Sequence, residues 1–245
     1  MNIEIQLFKL IKLISYKNQK KNKTMSEENQ LYPKATREDA QKKADLAPKQ
    51  IEAWRNFSKT VFKEGVLDEK TKQLIAVAVA HVTQCPYCIK AHTPQAMRKG
   101  ASKEEIMEAI WIAAAGRASG AYSHAAIAID AMEGNKEADL YPKATPEMAR
   151  KKADLVPETT SAWRDFSNKV FKVGALDEVT KQLIALGISH VTQCAYCIKG
   201  HTKMAKQKGA SNEQMMEAIW VASEMRAGAA YAHASIAMEE MEKNN

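Results

Sequence analysis

Residues 81–93 read HVTQCPYCIKAHT, and residues 190–202 read HVTQCAYCIKGHT, so one chain of 245 residues twice carries two cysteines three apart, bracketed by histidines. Working outward, LYPKAT recurs at 31 and 140, KKADL at 42 and 151, TKQLIA at 71 and 180, and MEAIW at 107 and 216. The offset is always 109 residues without a gap, and about 65 of 103 aligned positions are identical. The chain is therefore a tandem duplication. All six histidines and all four cysteines fall into matched pairs: His81/His190, His92/His201, His124/His233, Cys85/Cys194 and Cys88/Cys197. The expected organisation is a disordered extension over 1–30, a first domain over 31–139 and a second over 140–245.

Six lysines in the first 24 residues stand against Glu4, so about +5 of the net charge of +7 belongs to that extension. The basicity thus marks a tail, and no nucleic-acid-binding face is expected. The short apolar run at the start is interrupted by Lys9 and Lys12 and lacks a small-residue cleavage site, which speaks against a secretory signal. No stretch approaches the roughly 18 apolar residues of a membrane span. Four cysteines grouped as two CxxC pairs point to a reducing, cytoplasmic compartment and to redox or metal chemistry, not to a disulfide scaffold.

Within each repeat the apolar spacing is helical and strand signals are missing. Trp54, Phe57, Val61 and Phe62 recur at three- and four-residue steps before Gly65, a helix stop. Asp68 reads as the cap of the helix that carries LIAVAVA. Ser102 with Glu105, and Ser211 with Gln214, form capping-box signatures. The Ala- and Gly-rich segment that follows suits close helix approach. The expectation is an all-α repeat of five or six helices, used twice about a pseudo-twofold axis.

Cysteines three apart on a helix share a face and reach disulfide distance. Pro86 favours the first helical position, which puts Cys85 at the cap and Cys88 in the first turn, where the helix dipole favours a thiolate. His92 lies one turn beyond Cys88 and can exchange a proton with its sulfur. His81 lies four residues before Cys85. This set suits thiol redox chemistry, in which one sulfur attacks, the other resolves and the imidazole moves protons. Two other readings stay open. The His-x3-Cys-x2-Cys-x3-His spacing offers four zinc ligands, although on one continuous helix the outer histidines would stand about 16 Å apart. The cysteines also make sense as small core residues.

KTKQLIAVAVAHVTQCPYCIKAHT, followed by KGASKEEIMEAIWIAAA, resembles the alkylhydroperoxidase D and carboxymuconolactone decarboxylase family, in its CxxC-bearing peroxidase-like branch. The resemblance covers residues 31–245. It implies an all-helical fold, homo-oligomers, no organic cofactor, and reduction of a hydroperoxide by a dithiol that a thioredoxin-like or lipoyl-bearing partner recycles. It casts Cys88 and Cys197 as attacking thiols, Cys85 and Cys194 as resolving thiols, and His92 and His201 as relay members. The chain departs from the pattern twelve residues before the first cysteine, where the family often has Glu and this chain has Gln73 and Gln182. An amide cannot take up a proton at neutral pH. His81 and His190 are the natural replacements in the relay, with Glu69 and Glu178 as fallback.

The wider family also contains decarboxylases, whose chemistry does not depend on a CxxC. A non-enzymatic helical protein that binds zinc or senses oxidation is the remaining alternative. His124 and His233, two turns after Arg117 and Arg226, read as histidines of a packing seam. Trp54, Trp111, Trp163 and Trp220 read as core anchors, and the methionines as gap fillers.

Overall fold

The computed structural model describes residues 31–134 and 139–243; the extension expected over 1–30 lies outside them. The described residues form twelve helices and no strand: α1 (Arg37–Leu46), α2 (Pro48–Phe62), α3 (Glu69–Val82), α4 (Pro86–Arg98), α5 (Lys103–Ser123), α6 (Ala125–Met132), α7 (Pro146–Leu155), α8 (Pro157–Phe171), α9 (Glu178–Val191), α10 (Ala195–Gln207), α11 (Asn212–Ala232) and α12 (Ala234–Lys243). Six helices per repeat meet the expectation. Local chemistry starts them: Asp68 and Asp177 accept from the backbone N–H of Thr71 and Thr180, and both capping boxes are closed.

Two compact units are distinguishable. Residues 47–233 form one, and α1 with α12 belong to the other. In the latter, Lys42 pairs with Glu242 at 2.9 Å and Lys43 donates to Ser235 at 2.8 Å.

In the larger unit, α3 and α9 are the centre. From Leu74 to Ala80 no residue of α3 exposes any surface, because the run is apolar on every side. The helices α3 and α9 pack on each other; α5 also packs on α9 and α10, and α11 on α3 and α4, so each repeat lends its long helix to the other. A Cβ on Gly116 of α5 would come within 2.6 Å of Ile188 on α9, so the close approach needs glycine there.

The two repeats are further tied by a pair of clasps. Glu217 accepts from Val66 N–H and Leu67 N–H and pairs at 3.1 Å with Lys72, which is 3% exposed. Glu108 accepts from Ala175 N–H and Leu176 N–H and pairs at 3.0 Å with Lys181, which is 2% exposed. Each clasp is the other shifted by 109 residues with the repeats exchanged, the reciprocity of a twofold contact. Both lysines also donate to backbone carbonyls, Lys72 to Lys63 and Lys181 to Val170 and Lys172, so the buried charge is satisfied.

Two expectations about the core need correction. Trp111 and Trp220 are 52% exposed, not core anchors; each sets an edge against a phenylalanine of the other repeat, Phe166 and Phe57, and leaves the rest of its ring outside. Of the methionines, Met215 and Met225 fill the core, but Met97, Met107, Met132, Met204, Met216 and Met241 are exposed on outward helix faces.

Candidate active site

The site begins with a turn. After α3, Gln84 adopts φ of 55°, its N–H donates to His81 O, and Cys85 N–H reaches back to Ala80 O. This is a Schellman closure with glutamine where glycine is usual. Gln193, with φ of 57°, repeats it. The turn delivers Cys85 directly to the N-cap of α4, where its Sγ accepts from Cys88 N–H at 3.2 Å. Cys194 and Cys197 do the same on α10, although Ala195 replaces the proline, so the cap does not depend on Pro86. Cys85 is joined to Cys88, and Cys194 to Cys197, by disulfides with Cα atoms 5.3 and 5.2 Å apart. Cys85 and Cys194 are fully buried, whereas Cys88 and Cys197 keep 7% exposure.

His92 Nδ1 lies 2.9 Å from Gln73 Oε1, and His201 Nδ1 lies 2.9 Å from Gln182 Oε1. Because the carbonyl can only accept, each imidazole donates from Nδ1 and leaves the Nε2 lone pair free. Burial, beside the rings of Phe62 and Phe171, lowers both histidines from 6.5 to about 4, so they are neutral at physiological pH.

The other relay candidates have partners of their own. His81 Nδ1 is bonded to Val77 O at 2.8 Å and His190 Nδ1 to Leu186 O at 2.9 Å, each one turn back along its own helix. Glu69 is ion-paired with Lys99, and Glu178 with Lys208 at 2.8 Å, toward the far end of the CxxC helices. The group that meets the His92 ring nitrogen is thus Gln73. Among the described residues, no group of three or more His, Cys, Asp or Glu side chains is placed to hold a metal ion.

Sequence reasoning missed what the opposite repeat contributes. Ser123 Oγ lies 3.7 Å and Ser119 Oγ 3.9 Å from Cys197 Sγ, both carried by α5 of the first repeat. His124, at the end of α5, sets its ring against Tyr196 of the second motif, and His233 sets its ring against Tyr87 of the first. A cleft of about 330 Å³ lined by Ser123, Ala126, Thr145, Met148, Lys152 and Tyr196 opens beside the second motif. On α11, Glu224 is 3% exposed with its carboxyl raised by burial, partly offset by Ser58. The available signal was a difference between repeats: positions 115, 119 and 123 are Ala, Ser and Ser, while 224, 228 and 232 are Glu, Gly and Ala. These positions are spaced by four on one helix, hence on one stripe.

A duplicated all-helical chain with a CxxC disulfide at the start of one helix in each copy defines the class. The chain belongs to the carboxymuconolactone decarboxylase family, whose profile matches residues 48–131 and again 157–240. An uncharacterized protein of the cox locus of Paracoccus denitrificans is 60% identical over 82 residues, covering 34% of this chain and 74% of that protein. An uncharacterized protein of Haemophilus influenzae is 43% identical over 49 residues, 20% of this chain and 43% of that one. A crystal structure described as a gamma-carboxymuconolactone decarboxylase subunit from Burkholderia xenovorans LB400 superposes with a TM-score of 0.65 over 87% of this chain and 94% of that one. At 19% identity it shows the shared fold. No helix among the described residues is long and apolar enough to cross a membrane.

Proposed function

We propose that this protein is a thiol peroxidase of the family's CxxC branch, which reduces a hydroperoxide at a dithiol and needs no organic cofactor. The observation that carries the reading is the sulfur pair at a helix N-terminus with unequal burial. The cysteine that keeps some exposure suits attack and the fully enclosed one suits resolution. The thiolate of Cys88 or Cys197 attacks the hydroperoxide, the O–O bond breaks, and the sulfur becomes a sulfenic acid while the alkoxide takes a proton and leaves as an alcohol. The thiol of Cys85 or Cys194 then displaces water, and the S–S bond forms. A partner dithiol, thioredoxin-like or lipoyl-bearing, returns two electrons by exchange and is itself oxidised to a disulfide.

Neutral His92 and His201, each held by its glutamine in the Nδ1–H tautomer, present Nε2 as the proton carrier. Their low proton affinity belongs to the disulfide state, which has no thiolate; an adjacent thiolate would raise it. Gln73 and Gln182 orient the ring and take no proton. The protein acts in the reducing cytoplasm, and the half-exposed Trp111 and Trp220 support the further expectation of homo-oligomers. The decarboxylase description of the solved relative has no such supporting observation in this chain.

The test is a thiol count on reduced, metal-free protein before and after a brief pulse of organic hydroperoxide, with mass spectrometry locating any new disulfide. Rapid loss of thiols in pairs, as Cys85–Cys88 or Cys194–Cys197 links reversed by dithiol, is the expected result. Thiols that stay reduced would overturn the reading.

A further inference from the structure

The two CxxC pairs share their sequence, their cap and their Gln–His partner, but they differ in what reaches them from the opposite repeat. At Cys197 two serine hydroxyls of α5 stand 3.7 and 3.9 Å from the sulfur. The corresponding positions on α11, which packs against α4 as α5 packs against α10, are Gly228 and Ala232, which have no hydroxyl. A disulfide sulfur carries no proton, so the serines can only donate to it. Once the bond is reduced, a thiolate is a stronger acceptor than a disulfide, and hydrogen bonds to a charged acceptor are shorter and stronger. Ser123 also lines the cleft of about 330 Å³ with Tyr196, the residue before Cys197.

We propose that Ser119 and Ser123 stabilise the Cys197 thiolate across the repeat interface and make the second CxxC the more reactive of the two. Stabilising a thiolate raises its population more than it lowers its nucleophilicity, because rate follows basicity with a slope of about one half. The net effect is faster reaction at neutral pH. The inference concerns the thiol itself; it rests on the peroxidase reading only for the identity of the oxidant.

The experiment uses the full chain, reduced and metal-free. Alkylation by limiting iodoacetamide at neutral pH, with peptides mapped by mass spectrometry, compares Cys197 with Cys88 in the unmodified protein. We expect Cys197 to react about tenfold faster. Two chains, each keeping one pair, Cys85→Ser/Cys88→Ser and Cys194→Ser/Cys197→Ser, carry the same comparison to ultraviolet thiolate absorbance. Ser119→Gly/Ser123→Ala, which installs the residues of the other repeat, should remove the advantage, and Ser123→Thr, which keeps a hydroxyl, should retain most of it. Gly228→Ser/Ala232→Ser should raise Cys88, and ultraviolet thiolate absorbance with an unchanged circular dichroism spectrum separates that gain from exposure by unfolding. Equal reactivity of the two sulfurs, or a ratio unmoved by both exchanges, would overturn the inference. Equal alkylation with brisk hydroperoxide reduction would sink the serine proposal and leave the peroxidase reading standing. A skewed alkylation ratio with no peroxide consumed would do the reverse.

Discussion

From Cys85 to Thr93 the first motif differs from the second only at Pro86 against Ala195 and Ala91 against Gly200, whereas the stripe on the long helices differs at all three of its positions. The motif's turn and cap are local, closed by bonds within a few residues. The long helix comes from the other repeat and contributes no atom to that local geometry. A duplicated site can therefore specialise through the residues that lean on it.

The largest effect should come from what the two halves still share. Removing the carboxylate of one clasp, Glu108→Ala or Glu217→Ala, leaves Lys181 or Lys72 buried without its ion partner and should cost about 3–5 kcal/mol in denaturant unfolding. The two losses should be nearly equal; a clear inequality would break the pseudo-twofold at its base. Burial alone would raise these carboxyls, but backbone donors and the lysine outweigh it and hold both low. A depressed carboxyl stabilises above its unfolded value, so the clasps should weaken as pH falls below about 4.5.

Next in size is the relay. Gln73→Glu and Gln182→Glu put a charged acceptor beside each histidine, which should lift its titration from about 4, read by NMR, and raise the peroxide rate about tenfold or more. The gain should be larger in absolute terms at the second site if the serines act as proposed. A rate that does not change would mean that the amide is not the limiting group. In the parent protein both buried histidines bind protons less readily than in the unfolded chain. The unfolded state takes up more protons between 6.5 and about 4, and stability should fall as pH drops through that window.

The smallest effect sharpens the difference between the stripes. Glu224 holds its proton more tightly when folded, so stability declines as pH rises through its titration. Glu224→Gln should abolish that decline and be the more stable form at neutral pH, measured by thermal unfolding at several pH values. A parallel pH dependence of the two proteins would show that Glu224 is not the source.

Much of this fold was legible because its signals are local. Asp68, the Ser102–Glu105 box and Pro86 mark helix starts through bonds that span three or four residues, and the placement of Cys85 at the cap and Cys88 in the first turn follows from them. The twofold followed from the 109-residue repeat. The exposure of Trp111 and the burial of Lys72 were not legible. A tryptophan on an apolar stripe looks like core, and a lysine on a helix looks solvated, until the partner helix shows which face is covered.

The sequence by itself determined the helices and the place of each CxxC at a helix start, which rest on contacts within one or two turns, and the duplication, which rests on the 109-residue repeat. The tertiary structure alone decided that Gln73 meets His92, that Glu108 and Glu217 clasp the opposite repeat, and that two serines reach one sulfur but not its twin. These contacts join residues far apart in the chain, and only packing around the α3–α9 pair brings them within reach.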